Sequence, residues 1–238
     1  MDRHTRKDLK TDKFAREVTH TFEILSEHRS EVVRYGVIAI AVIVLAAGIY
    51  FYRNHQAGVR ENALAQAVRV DDATVGPNVQ PTNLHFDTAE EKDKALVKAY
   101  SDMAAKYHGS QEGAIAALYL ASRAADQGNL ADAEKRYKDI VDSAPKPYAA
   151  MARLSLAQVY EGEGKNADAE KVLRDAIAHP EVTVSKAEAS IALAQLLAKT
   201  KPDEARKILE PLRTENSAVS RAAVQALSEL AQNTPATK

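Results

Sequence analysis

The 238-residue chain contains no cysteine and no tryptophan, and it has only 9 glycines. Without cysteine there are no disulfides, thiolate metal sites or cysteine nucleophiles. The formal net charge is −1, from 32 basic and 33 acidic residues, which excludes a strongly basic nucleic-acid surface spread over the whole chain. The scarcity of glycine excludes a loop-rich or collagen-like protein. Alanine, by contrast, makes up about one residue in five, which favours helix.

One segment, residues 35–52, has no charged side chain: YGVIAIAVIVLAAGIYFY. As a helix it would be about 27 Å long, which is enough to cross the hydrocarbon core of a bilayer. Arg34 and Arg53 flank the segment, and tyrosines stand at both of its ends, as is common at membrane interfaces. The sequence therefore predicts a transmembrane helix over 35–52. A buried core helix and a cleaved signal peptide are the alternatives.

Basic residues are distributed unevenly around this segment. Residues 1–34 contain eight lysines and arginines, whereas the next twenty residues after the segment contain three, Arg53, Arg60 and Arg69. Because basic residues stay on the cytoplasmic side of a membrane, we predict a cytoplasmic N-terminus and an external C-terminal domain, which in a bacterium is periplasmic.

The flanking segments carry weaker patterns. Apolar residues recur at helical spacing in the tail, residues 1–34, at Phe14, Val18, Phe22, Leu25 and Val32. This spacing predicts either an amphipathic helix on the inner leaflet or a short juxtamembrane helix without a partner. Residues 53–87 are predicted to form a membrane-proximal helix that continues the span to about residue 70, and then a linker rich in turn residues. The inner stripe of that helix would be Ala57, Leu64, Ala67 and Val68.

Residues 88–232 consist of helix-forming segments that repeat, and residues 233–238 are predicted to be disordered. The segment LASRAADQGNLADAEKRY (120–137) matches LAQVYEGEGKNADAEKVL (156–173) at an offset of 36, and a third copy occupies 193–209. Capping boxes at Thr88-x-x-Glu91 and Ser185-x-x-Glu188 mark helix starts. We predict helices at about 88–107, 111–126, 130–143, 147–162, 166–178, 186–199, 202–212 and 217–232, the last serving as a polar cap.

This period resembles the tetratricopeptide repeat. Small residues occupy the repeat positions 8, 15 and 20 in two successive copies, as Ala121, Gly128 and Ala133 and as Ala157, Gly164 and Ala169. Positions 8 and 20 are where paired helices come closest, so only a small side chain fits there. The predicted fold class is all-α, with one N-terminal transmembrane helix followed by a helical-hairpin solenoid. A generic three-helix bundle is the alternative.

The resemblance also implies a binding surface. In tetratricopeptide arrays the first helix of each repeat lines a concave groove that suits an extended or helical peptide. Carried over by repeat position, the groove residues are Ile115, Leu118, Ser122, Met151, Leu154, Gln158, Glu161, Glu188, Ile191 and Gln195. The competing interpretation is that some of them only pack against the neighbouring repeat.

No residue pattern indicates an enzyme. None of the seven histidines stands in HExxH or another metal-ligand spacing. The glycine-rich stretch EGEGK (161–165) lacks the frame of a phosphate loop, and the acidic residues between 87 and 93 lack the alternating oxygens of a calcium loop. We therefore predict no catalytic residue, metal, cofactor, nucleic acid or small-molecule substrate.

The order of these parts resembles one family, the ancillary SecYEG translocon subunits, which are single-span tetratricopeptide proteins of the bacterial inner membrane. The similarity extends from about Val32 to Ala178, and its most specific part is YFYRNHQAGVRENALAQAV (50–68). The resemblance implies a scaffold without enzymatic activity, whose partners are translocon subunits, a periplasmic chaperone and exported clients. The alternative is a structural organiser of envelope assembly or cell division that acts through self-association of the repeat domain.

Overall fold

The computed structural model describes residues 29–76, 84–215 and 217–233. The chain divides between Val59 and Arg60 into two units. Within the described ranges the regular structure consists of nine α-helices, one 3₁₀ helix and a two-stranded sheet. The predicted tail helix up to residue 28 and the predicted disordered segment from residue 234 lie outside these ranges.

Helix α1 (Arg29–Asp71) contains the apolar segment and continues beyond it, as predicted. It is long and apolar enough to cross a membrane. An 18-residue window of this helix has a mean hydropathy of 2.2, and none of that window is buried. Leu45, for example, is 66% exposed. The same length and composition are found in signal sequences.

From Arg60 onward, the end of α1 belongs to the second unit and packs against the first helices of this unit. It contacts helices α2 (Ala89–Lys106) and α3 (Gln111–Asp126) through an apolar cluster that includes Leu64 and Ala67. The prediction that Val68 faces inward is wrong, because this side chain is 41% exposed. The contact stripe uses residues 63, 64, 67 and 70, and residue 68 lies about 100° further around the helix than residue 67.

Arg60 also anchors the end of α1 by charge. Its Nε lies 2.9 Å from Oε2 of Glu112, whose side chain is 9% exposed. Burial alone would raise the pKa of Glu112, but hydrogen bonds from its own backbone, from Arg60 and from Ser110 outweigh burial, so the pKa is lowered. The carboxylate is therefore held ionised in a partly buried ion pair between α1 and α3.

The segment 71–87, predicted as a linker, contains a short sheet. Strands β1 (Thr74–Val75) and β2 (His85–Phe86) pair in parallel, with Thr74 opposite His85. Two-residue strands are too short for an alternating pattern to be visible in the sequence.

The remaining elements follow the predicted repeat closely. They are α4 (Leu130–Ser143), α5 (Lys146–Gly162), α6 (Asn166–Ala178), α7 (Lys186–Leu197), α8 (Pro202–Leu209), a 3₁₀ helix (Glu210–Thr214) and α9 (Ser217–Asn233). Both predicted caps are confirmed: the Thr88 and Ser185 hydroxyls accept hydrogen bonds of 3.1 Å from the N–H groups of Glu91 and Glu188. The predicted helix 202–212 ends earlier, at Leu209, since Pro211 has no N–H for an α-helical bond.

The core of the array is built around the alanines predicted to lie at the closest approach of paired helices. Ala121, Ala133, Ala157 and Ala169 are at most 4% exposed. They belong to one cluster that extends from α3 to α9. Gly128 follows α3 with a φ of 75°, a conformation that favours glycine and that turns the chain into α4. The structure therefore has the hairpin geometry that the repeat requires.

A repeated ion pair, here called the inter-repeat clamp, links the second helix of one hairpin to the turn of the next. Glu134 on α4 pairs with Lys165 at 2.7 Å, and Glu170 on α6 pairs with Lys201 at 2.9 Å. Glu170 follows Glu134 by 36 residues, and Lys201 follows Lys165 by the same number, which is the repeat offset. Hydrogen bonds from Lys138 and Lys165 lower the pKa of Glu134 from 4.5 to about 2.

We expect Glu134→Gln to lower the free energy of unfolding near neutral pH by ~0.2–1 kcal/mol for each ion pair lost. Because the folded-state pKa of Glu134, about 2, lies below its usual value of 4.5, the carboxylate stabilises the fold above pH 4.5. That stability is lost as the pH falls toward about 2. The measurement is urea unfolding of the full chain in detergent at several pH values.

The control for this prediction is Glu61→Gln, which removes an exposed carboxylate from α1. This variant should show no comparable pH-dependent difference from the wild type. A difference between wild type and Glu134→Gln that stays constant from neutral pH to about pH 2 would contradict the role of the clamp.

Candidate partner-binding groove

The surface predicted to bind a partner lies on helices α3, α5 and α7, which are the first helices of successive hairpins. Helix α3 contacts α5, and α5 contacts α7, so the three helices form one continuous layer. The ten predicted groove residues are divided among them. Ile115, Leu118 and Ser122 lie on α3, Met151, Leu154, Gln158 and Glu161 on α5, and Glu188, Ile191 and Gln195 on α7.

None of these ten side chains is fully buried. Four apolar residues are half-buried, namely Ile115, Leu118, Leu154 and Ile191, and the other six are exposed. Met151 is 41% exposed, so a large part of its apolar side chain is accessible to a partner. The layer thus presents apolar side chains interspersed with amide and carboxylate groups, a combination suited to peptide contact.

Part of this surface also serves the packing of the array. Leu118, Leu154 and Ile191 contact the buried core with one side of their side chains. Each of them occupies the same place in its hairpin, so the array repeats this contact three times. Part of each of these side chains therefore packs on the core of the array, and the rest is exposed.

Ser122 has an additional structural partner. Its hydroxyl and that of Ser155 are polar neighbours of the phenol of Tyr137, which is buried on α4. Burial raises the pKa of Tyr137, and these two hydroxyls partly oppose the rise. The phenol therefore lies beside polar side chains of both α3 and α5. Sequence reasoning missed this link, since nothing in the spacing shows which hydroxyls reach a tyrosine on another helix.

At one end of the layer, Gln158 and Glu161 share a shallow depression with α7 and its C-terminal turn. Leu196, Lys199 and Thr200 also line it. These three residues were not among the predicted groove residues, although Leu196 directly follows the groove residue Gln195. Glu188, by contrast, lies in the first turn of α7, where a carboxylate interacts favourably with the helix N-terminus.

Among residues 29–76, 84–215 and 217–233, no group of three or more histidine, aspartate or glutamate side chains is arranged to hold a metal ion. The groove itself contains carboxylates, amides and one hydroxyl beside its apolar side chains.

Comparison with protein families agrees with this geometry. A family model described as a tetratricopeptide repeat-like domain matches residues 31–160 and 144–227. The chain belongs to this family. No curated protein and no solved structure matches the chain significantly. As a tetratricopeptide repeat-like protein it has the architecture of a scaffold for protein–protein contacts, since such arrays present extended concave binding surfaces.

We expect Ser122→Ala to lower the free energy of unfolding by ~0.5–1.5 kcal/mol, because the buried phenol of Tyr137 loses one of the two hydroxyl groups beside it. Gln195→Ala, an exposed groove residue on α7, should change it by less than about 0.5 kcal/mol. Chemical denaturation of both variants in the full chain measures the contrast. Equal losses in the two variants would show that the hydroxyl contributes nothing to the packing.

Proposed function

We propose that this protein is a membrane-anchored scaffold that binds protein partners in its groove and assists the export and folding of secreted proteins at the SecYEG translocon. The observation that carries this proposal is the extent of the family match. It begins at residue 31, just before the apolar segment, and therefore includes the apolar helix together with the repeats.

The apolar part of α1 supports a membrane anchor. Eighteen consecutive residues without a charge have no protein partner in the described structure. Exposing that much apolar surface to water is unfavourable by roughly 25 cal/mol per Å², and a lipid bilayer removes this cost. The excess of basic residues before the segment supports a cytoplasmic N-terminus and a periplasmic repeat domain.

The groove supports a role in peptide or protein binding. Met151 and the exposed parts of Ile115 and Ile191 offer apolar contacts, and the amides of Gln158 and Gln195 offer hydrogen bonds to a peptide backbone. An anchored groove meets membrane-bound partners at a high effective concentration, so weak contacts suffice.

The translocon is the partner to which residues 50–68 point, because this segment carries the resemblance to the ancillary translocon subunits. Emerging secreted chains and membrane-anchored folding factors are present at the same site. A scaffold there needs an anchor and a repeat domain on the outer side.

The absence of cysteine makes the topology simple to test. We expect a single cysteine at Lys171 on α6 to react with a membrane-impermeant maleimide in cells with a permeabilised outer membrane, since Lys171 is exposed. A cysteine at Thr11 should react only after the inner membrane is disrupted. Labelling of both sites in intact spheroplasts, or loss of an N-terminal tag from the mature chain, would contradict the proposed anchor.

The partner is tested by photo-crosslinking in native membranes. We expect probes at Met151, Gln158 and Gln195 to crosslink to translocon subunits, a periplasmic chaperone or secreted clients. Matched probes at Lys135 and Lys171, exposed on the second helices of their hairpins, should give weaker adducts with these proteins.

Each other outcome of the crosslinking is informative. Adducts only between copies of this chain would overturn the export role and favour the structural organiser. Strong translocon adducts from Lys135 and Lys171 alone would keep the scaffold and remove the groove as its binding surface.

A further inference from the structure

A cleft separate from the groove lies between α2 and α4, with α3 as its floor. Its volume is about 260 Å³. Small-molecule sites usually measure ~300–1,000 Å³, so this cleft is of a size for a single side chain. None of the ten groove residues lines it. The apolar lining includes Ala114, Ala117 and Leu120 on α3 and Ile140 on α4, and the rim carries polar groups.

The floor owes its depth to small residues on α3. A Cβ atom at Gly113 would lie 2.0 Å from the carbonyl oxygen of Tyr107, so the turn before α3 lies directly against the helix backbone. Ala117, one turn further along, has no side chain beyond Cβ to occupy the space above it. The cleft therefore stays open between α2 and α4.

The next repeat shows what fills the corresponding space. The repeat offset of 36 relates Ala117 to Arg153 on α5, and Asp139 to Asp175 on α6. Arg153 is only 26% exposed, and its Nε lies 3.3 Å from Oδ2 of Asp175. In the hairpin of α5 and α6, the side chain of Arg153 thus lies across the two helices, with its guanidinium group at the carboxylate of Asp175.

The first hairpin keeps the carboxylate but lacks the arginine. Asp139 is 62% exposed, and its partner is His108, whose Nε2 lies 3.3 Å from Oδ2. Arg136 also lines the cleft, but its guanidinium is paired with Asp132 at 2.6 Å. An accessible carboxylate therefore stands at the end of an apolar floor.

We propose that this cleft binds an arginine side chain of a partner protein. The alkyl part of the arginine packs on Ala117, Leu120 and Ile140, and its guanidinium pairs with Asp139 in place of His108. Arginine suits this site because its long apolar stem is buried easily, while its planar head binds carboxylates with two donors. The site is independent of the groove and would give the scaffold a second point of contact.

The test uses the full chain in detergent, labelled with ¹³C at isoleucine methyl groups, and an arginine tripeptide blocked at both ends as the probe. We expect the peptide to shift the signal of Ile140, which lines the cleft, and to leave those of Ile115 and Ile191 in the groove unchanged. The same peptide with citrulline, a neutral analogue of arginine, should bind about tenfold more weakly.

Three variants sharpen the result. Ala117→Arg supplies the missing side chain from within the protein and should abolish binding, whereas Ala131→Arg adds the same charge at an exposed position on the same hairpin and should not. Asp139→Asn is nearly isosteric and should weaken binding about tenfold; it carries the test if Ala117→Arg fails to fold. An unshifted Ile140 signal, a shift at Ile115 or Ile191 instead, equal binding of the citrulline peptide, or unchanged binding to Asp139→Asn would overturn the proposal.

Discussion

The close approach of alanines between paired helices is the constraint on which the array depends. Ala121, Ala133, Ala157 and Ala169 are almost completely buried in one cluster, so a larger side chain at any of them would have to displace its neighbours. This contact sets how the two helices of each hairpin pack. The same small residues recur 36 positions later, so the next hairpin has the same geometry. The three helices of the groove are adjacent because of that spacing.

Ion pairs between helices supplement this apolar packing. The inter-repeat clamp sets the second helix of one hairpin against the turn of the next, and the Arg60–Glu112 pair does the same for the end of α1. Polar links of this kind add little free energy at an exposed position, but each is directional. At the groove, the buried phenol of Tyr137 on α4 has the hydroxyls of Ser122 on α3 and Ser155 on α5 as polar neighbours.

Much of the fold was predictable because its signals are local. A capping hydroxyl, a glycine after a helix and an alanine repeated after 36 residues each act within a few turns of chain, and Thr88, Gly128 and Ala133 lie in the structure as predicted. The orientation of Val68 was not predictable from its apolar character alone, because the contact stripe of α1 is set by α2 and α3. Repeat numbering predicts which residues lie on the surface of the groove. It does not predict the cleft over Ala117, because that cleft forms only where three helices meet.

The packing of the end of α1 has a consequence for processing of the chain. The apolar side chains of Leu96, Tyr100 and Met103 on α2 belong to one buried cluster with residues 63, 64, 67 and 70 of α1. A protease that cut between residues 53 and 59 would release a repeat domain with this cluster whole. A cut a turn or two later, after Arg60, would remove the Glu112 partner and part of the covering helix, and the soluble fragment would expose an apolar face. Shedding of an intact domain is thus restricted to a window of about two helical turns.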